Sequence, residues 1–436
     1  MSGKKILLVK ENQILMGISK TRLKTEILAG ITSFFAISYI IIVNPMILSD
    51  AGIPAGLSVF ATVFSSAIGC LIMALWAKAP VILTPGMGVN AFFTYTVVVG
   101  MHLSWQQAVA ISIFSSLIYM VIAFTRASEF LANAIPAVLK KGITVGIGLF
   151  LVTLGLEKAE LIQSGGKRAL LAAGSLSNPA TLLALFGLLL SLILFLRRVP
   201  GGFVIGIIVT SLVGVLFHIG GTQATSISLS QLPKYSEILF KGDFSQMFSI
   251  KFLLAVFSMT MILVFESMGI LEGILQDPSQ FRKAFQASSV TTFISGFLGT
   301  SPTVAAAESA SGIESGGRTG IVSLVSGILF LLSLFFIPLL SYVPQAAIAP
   351  VIIITGAVMM EQLATINFAD FTDWFPAFLI IVLIPLTGSI STGLAFGFVA
   401  YPILKLAMGK QSEVHPIMYV LGLLFLAQLG FNSILV

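Results

Sequence analysis

Glu308 stands in a run of small residues, Gly299-Thr300-Ser301-Pro302-Thr303-Val304-Ala305-Ala306-Ala307-Glu308-Ser309-Ala310-Ser311-Gly312, within an otherwise oily chain. A carboxylate at bilayer depth is costly and is by default a functional residue. Pro302 removes a backbone donor and disfavours helix at Ser301, so residues 299–303 are expected to be extended, with a short helix starting near Thr303 or Val304. Such broken backbone is tolerated in a membrane only where protein or a watery cavity satisfies it. A second stretch has the same design: Leu83-Thr84-Pro85-Gly86-Met87-Gly88-Val89-Asn90-Ala91-Phe92-Phe93, with Asn90 as its polar side chain. Paired interrupted segments point to a transporter's midplane site, because half-helix starts offer unpaired N–H groups and the positive ends of helix dipoles. The plainer alternative is a pair of Gly/Pro kinks in packed helices, both residues being common in transmembrane segments.

A second acid, Glu266, lies well inside the apolar run from Met259 to Gly273. Its plainer role is as the buried partner of a hydroxyl or backbone group. Glu272 lies nearly two turns further on, close to a span end, where charge is cheap and solvation accounts for it.

The elements that must position these residues are membrane spans. Hydrophobic residues make up 57% of the chain and charged residues 9%, too little polar surface to cover a soluble globule of this length. At about 20 apolar residues per span, the sequence reads as spans at 27–48, 56–77, 81–99 (broken), 105–124, 136–156, 179–196 and 201–218. A polar stretch over 219–248 is followed by spans at 250–272, 284–298, 300–315 (broken), 319–337, 345–361, 372–388 and 391–407. The fold class expected is therefore all-α and polytopic, with fourteen spans in two units, 1–218 and 249–408. An odd number of spans per unit makes the repeat inverted, and the broken span is third in each. A further apolar stretch over 416–431 lies along the interface or crosses as an additional span.

Charge fits this count. Lys4, Lys5, Lys10, Lys20, Arg22 and Lys24 precede the first span, and Lys78, Arg126, Lys140, Lys141, Arg197, Arg198, Arg282, Lys283, Arg318, Lys405 and Lys410 fall on the same side. The positive-inside rule makes that side the cytoplasm, so the expected location is the cell membrane, with a cytoplasmic N-terminus. Lys158, Lys167, Arg168, Lys234, Lys241 and Lys251 fall on the other side, mostly in two longer connections. The net charge of +6 thus reflects topology, and no nucleic-acid role is expected. The N-terminal stretch is polar through Glu26 without a compact apolar core, so no cleaved leader is expected. Cys70 reads as a small core residue. His102, His218 and His415 lack metal-ligand spacing, so no metal is expected. Gly316-Gly317-Arg318-Thr319-Gly320 has no preceding strand and no Gly-Lys-Ser/Thr, so it reads as a tight turn rather than a phosphate loop.

The first span, Glu26 to Pro45, resembles the opening span of the azaguanine-type purine permeases, within the nucleobase/ascorbate transporter superfamily. Pro85-Gly86-Met87-Gly88-Val89-Asn90-Ala91 resembles that family's Pro-Gly-Met-Gly-Leu-Asn-Ala signature, and Gly299 through Glu308 to Gly320 resembles its most specific segment. The resemblance covers nearly the whole chain and implies two inverted repeats. It also implies a core domain (27–124 plus 250–337) beside a gate domain (136–218 plus 345–407) with elevator-like alternating access. It implies a purine held between the broken spans by Glu308, Glu266 and Asn90. The chain departs from the family where Leu263, Glu266, Ser267 and Ile270 replace two Asp and two Thr, and where Ala306 stands in place of Tyr.

A purine base is flat and neutral, with N–H donors and ring-nitrogen acceptors, so its pocket needs apolar faces and a few fixed polar groups. The carboxylates accept N–H bonds and Asn90 donates and accepts; the N–H groups of Ala91, Phe92, Ala307 and Ser309 are expected near the half-helix starts, with Phe92 or Phe265 stacking on the ring. A buried Glu disfavours charge, so Glu266 and Glu308 are candidates for carrying a coupling proton inward. No other cofactor is expected; the partners are a purine nucleobase and the lipid bilayer, and the oligomeric state, homodimer included, stays open. Two rival classes remain. A membrane-embedded enzyme lacks a nucleophile–base pair or cofactor loop. An anion transporter or channel of the same fold would use the half-helix dipoles, against the repulsion of the acids.

Overall fold

The computed structural model describes residues 20–166, 171–219 and 228–435. Lys4, Lys5, Lys10, Lys167 and Arg168, assigned above to the two sides of the membrane, lie outside the described residues. Among the described residues, nine helices are long and apolar enough to cross a membrane, and four shorter apolar helices accompany them.

The first unit begins with α1 (Lys20–Ile37) and α2 (Ile40–Asp50), which together make one candidate span, Arg22–Asp50, over the expected 27–48. The two are separated by a turn at Ser38–Tyr39. Next come α3 (Ala55–Ile72), strand β1 (Leu83–Pro85) and α4 (Met87–Ala91), which continues as a π-helical stretch over Phe92–Gly100. Helices α5 (Trp105–Phe124), α6 (Ala127–Ala134), α7 (Ala137–Lys158), α8 (Pro179–Leu196) and α9 (Gly202–Leu216) follow, with a small hairpin of β2 (Ile162–Ser164) and β3 (Leu171–Ala173) between α7 and α8.

The second unit holds α10 (Ile250–Ile274), α11 (Phe281–Phe297), strand β4 (Thr303–Ala305), α12 (Ser309–Glu314), α13 (Gly320–Ser333), α14 (Gln345–Met359), α15 (Phe371–Thr387) and α16 (Ile390–Ala407). The 416–431 stretch is helix α17 (Pro416–Leu435), packed along α16 through Phe398 and Phe425, whose ring centroids are 5.1 Å apart. Start signals are local: Ser104 with Gln107 forms a capping box on α5, Asn178 with Pro179 opens α8, and Ser249 caps α10.

The tenth segment corrects the sequence reading. The extended run continues through Ala305, and its short helix starts at Ser309 rather than near Thr303. The reason is pairing: β1 and β4 are antiparallel, with Leu83 opposite Ala305, Thr84 opposite Val304 and Pro85 opposite Thr303. Two interrupted spans thus satisfy each other's backbone at a depth where no water can do so. Gly86 N–H to Pro302 C=O (3.1 Å) and Ala306 N–H to Ile82 C=O (3.0 Å) extend the ladder. A strand added at this point delays the helix by about five residues and sets Glu308 at its cap.

The helices pack in two sets. In one, α1 to α5 and α10 to α13 surround the paired strands: α3 and α1 lie on α13, and α5 on α10 and α11. In the other, α7 lies against α14 and α15, α8 against α9 and α14, and α15 against α16.

Candidate functional site

Buried hydroxyls and one amide hold the paired strands. Asn44, on α2, donates to Thr62 Oγ1 (2.8 Å) and Thr300 Oγ1 (3.1 Å) and accepts from Ser301 Oγ (3.1 Å), all four side chains being buried. Thr292 donates to the Thr303 carbonyl (2.8 Å), and Ser295 Oγ accepts from the Thr303 N–H (3.2 Å). Ser323 donates to the carbonyls of Ala79 and Val81. At the far end of α12, the buried Glu26 carboxylate accepts the N–H groups of Arg318 and Thr319, pinning the glycine turn that follows the short helix. That turn carries no phosphate-loop geometry; its donors face Glu26.

The three predicted polar groups sit on elements that flank this frame. Glu308 sits at the cap of α12 and accepts a hydrogen bond from the Tyr39 hydroxyl. Glu266, from α10, lies against the backbone that opens α4: a Cβ added at Gly88 would stand 3.1 Å from its Oε2, and one at Gly86 3.5 Å from its Oε1. The glycines therefore let a carboxylate and Ile147 of α7, 2.9 Å from the same added Cβ at Gly88, approach the half-helix start. Asn90 is fully buried, and neither its amide nitrogen nor its oxygen has a hydrogen-bond partner; the Glu266 Oε2 is also buried without one. Buried polar groups are ordinarily paired, so these two residues are candidates for binding a ligand.

The family model described as "Permease family" (Xan_ur_permease) matches residues 24–396. This chain belongs to that family. The resemblance drawn from its signature segments is borne out, and the protein is a transporter rather than an enzyme. The permease is 43% identical over 382 residues to the nucleobase transporter PlAzg2 of Paenibacillus larvae, covering 87% of this chain and 76% of the relative. It is 37% identical to the guanine/hypoxanthine permease PbuO of Bacillus subtilis (94% and 98% covered) and 33% identical to the adenine permease AdeP of Escherichia coli (94% and 94%). The transmembrane domain of a cyanobacterial bicarbonate transporter, BicA, superposes with a TM-score of 0.60 at 17% identity, over 85% of this chain and 97% of that one. The murine anion transporter Slc26a9 in its inward-facing state superposes at 0.62 and 13% identity, over 87% and 68%. These two likenesses show that the permease has their fold.

Several residues assigned to the site stand differently in this permease. The first helical residue after β1 is Met87, so Ala91 closes α4 instead of opening it, and the Phe92 N–H is spent on the Gly88 and Val89 carbonyls. Ser309 is a structural tie: its hydroxyl accepts the Ile82 N–H (2.9 Å) and its own N–H bonds the Ala306 carbonyl. Phe92 and Phe265 are buried core rings, and Ala307 is exposed beside Glu308. Tyr39 is the residue that sequence reasoning missed. Its ring meets Phe203 of α9 edge-on at 5.5 Å, and it lies beside Thr355 of α14. The signal was a phenol within an apolar span, next to Ser38, where the helix breaks.

Proposed function

We propose that this permease imports purine nucleobases of the hypoxanthine, guanine or adenine type across the cell membrane by proton symport. The observation that carries the reading is the placement of three polar groups on the elements next to the paired strands: the buried Asn90 on α4, the buried Glu266 on α10, and Glu308 at the cap of α12. A purine edge supplies the N–H donors that carboxylates lack and the ring-nitrogen acceptor that an amide N–H seeks. The names of the relatives, nucleobase, guanine/hypoxanthine and adenine transporters, support the same substrate class.

Glu308 binds the substrate, and Glu266 carries the proton. A carboxyl that crosses the bilayer protonated crosses as a neutral group, which costs far less than carrying its charge. The set holding both acids, residues 27–124 and 250–337, is the core; the α7–α9 and α14–α16 set, residues 136–218 and 345–407, is the gate against which it slides. The exposed face of α12, with Ala307, Glu314 and Ser315 open, leads from Glu308 toward Arg318, the side that the positive-inside rule makes cytoplasmic. Two acids in the site speak against an inorganic anion as substrate, although two solved structures of this fold carry anions by name.

The test is uptake of labelled hypoxanthine, guanine and adenine by cells lacking their own purine permeases, with sulfate as comparison. Saturable purine uptake that unlabelled purines compete away and sulfate does not is the expected result. Sulfate uptake without purine uptake overturns the proposal.

A further inference from the structure

Helices α2 and α7 end side by side on the face opposite Arg318. Asp50, the last residue of α2, takes two donors on one carboxylate oxygen: Lys158 Nζ at 2.7 Å and the Tyr95 hydroxyl at 2.7 Å. Lys158 is the last residue of α7 and its side chain is only 12% exposed, with Asp50 at 30%. A lysine at a helix C-terminus also complements the dipole, so the ammonium is held from two directions. Tyr95, on the π-helical continuation of the third segment, meets Phe150 of α7 edge-on at 6.1 Å. Thr96, the next residue, is 3% exposed and its hydroxyl accepts the N–H of Ile390, the first residue of α16, at 3.4 Å. The Lys158–Asp50, Tyr95–Phe150 and Thr96–Ile390 contacts each join the set that holds the acids to the set beside it, and the Tyr95–Asp50 bond braces that edge from within the first set. The Lys405 cluster, by contrast, ties α16 to Asp373 and Glu413 within one set. At the opposite face the site is open: Ala307, Glu314 and Ser315 are exposed, and Glu308, Ala310 and Ser311 are half-buried.

We infer that Asp50, Tyr95 and Lys158 form the external latch of this permease, holding the site closed to the outside while it is open to the inside. The inference rests on the core-and-gate reading above. It adds three residues that touch neither substrate nor proton and act on the balance between the inward- and outward-facing states.

Two single-cysteine reporters in a Cys70→Ala background, in the full-length permease in membrane vesicles, test this without reference to any substrate. Thr96→Cys reports the outer contact and Ala310→Cys the open inner side; each is labelled with a membrane-impermeant maleimide from its own side. Lys158→Met and Asp50→Asn are expected to raise labelling at Thr96→Cys by about fivefold or more and to lower it at Ala310→Cys, the range over which a coupled equilibrium shifts. The charge swap Asp50→Lys with Lys158→Asp is expected to restore both rates, which separates a latch from general loosening. If neither reporter responds to either single variant, the latch is wrong while alternating access stands. If the outer reporter opens and the inner one does not close, the two faces open together, which contradicts the core-and-gate reading and the latch with it.

Discussion

At the scale of single residues, this permease separates side chains that hold the frame from side chains left waiting. Asn44 and Asn90 are both buried asparagines in the same set of helices; the first has every polar atom paired and the second has none. Asn90→Ala removes a buried amide that has no partner, so the melting temperature of the empty protein is expected to hold or rise while purine affinity falls. An unpaired buried amide costs on the order of 1–3 kcal/mol, and a large drop in melting temperature would mark Asn90 as structural. Glu308→Gln keeps the size and removes the charge, and a lost charge-assisted bond of about 1.5–3 kcal/mol corresponds to roughly tenfold weaker binding or more. Titration of the purified variant with hypoxanthine checks it; unchanged affinity removes Glu308 from the site. Glu308, Glu266 and Asn90 were legible in the sequence because a polar residue is expensive in an oily, broken span, and a ligand or a proton is what offsets that cost. Tyr39 was not, because a phenol with an apolar body fits a span equally well until its partner is known.

At the scale of elements, the paired strands decide the site. Pro85 and Pro302 marked both breaks in the sequence, but not that the two would be partners 83 with 305 and 85 with 303. That pairing is long-range, and it explains why the extended run lasts through Ala305 and α12 starts only at Ser309. Asn44→Ala should therefore act on the site from a distance. It strands Thr300 and Ser301 next to the extended segment, at about 1–3 kcal/mol for the unsatisfied groups. Both the melting temperature and purine affinity are expected to drop, with faster hydrogen exchange over 300–306; loss of stability with intact affinity would show that the strap does not position Glu308. A second tie lies at the end of α15, where Lys410 first and the Thr372 bonds next hold the Asp370 carboxyl well below the usual carboxylate range. A depressed carboxyl contributes its stability above the unfolded value of about 3.9 and loses it only as pH falls through the folded value. Asp370→Asn is therefore expected to leave the pH dependence of transport between about 5 and 8 unchanged; a shifted profile in that window would implicate this cluster.

At the scale of the whole molecule, the all-helical, polytopic character of the chain was readable because hydropathy reports the bilayer directly. How the segments sort into two sets came only from the family resemblance, since no local pattern tells which oily face meets which. The account joins these scales in one claim, that a purine and a proton move together through a site carried by one set of helices against the other. Glu266→Gln is expected to abolish accumulation driven by a pH gradient and to leave exchange of purine for purine, which needs no net proton movement; accumulation that survives would move the proton to another group. The most direct measurement uses the purified permease in liposomes loaded at neutral pH and diluted into acidic buffer with labelled hypoxanthine. The account predicts transient accumulation above the external concentration, abolished by a protonophore. Uptake that only equilibrates and ignores the gradient would contradict it.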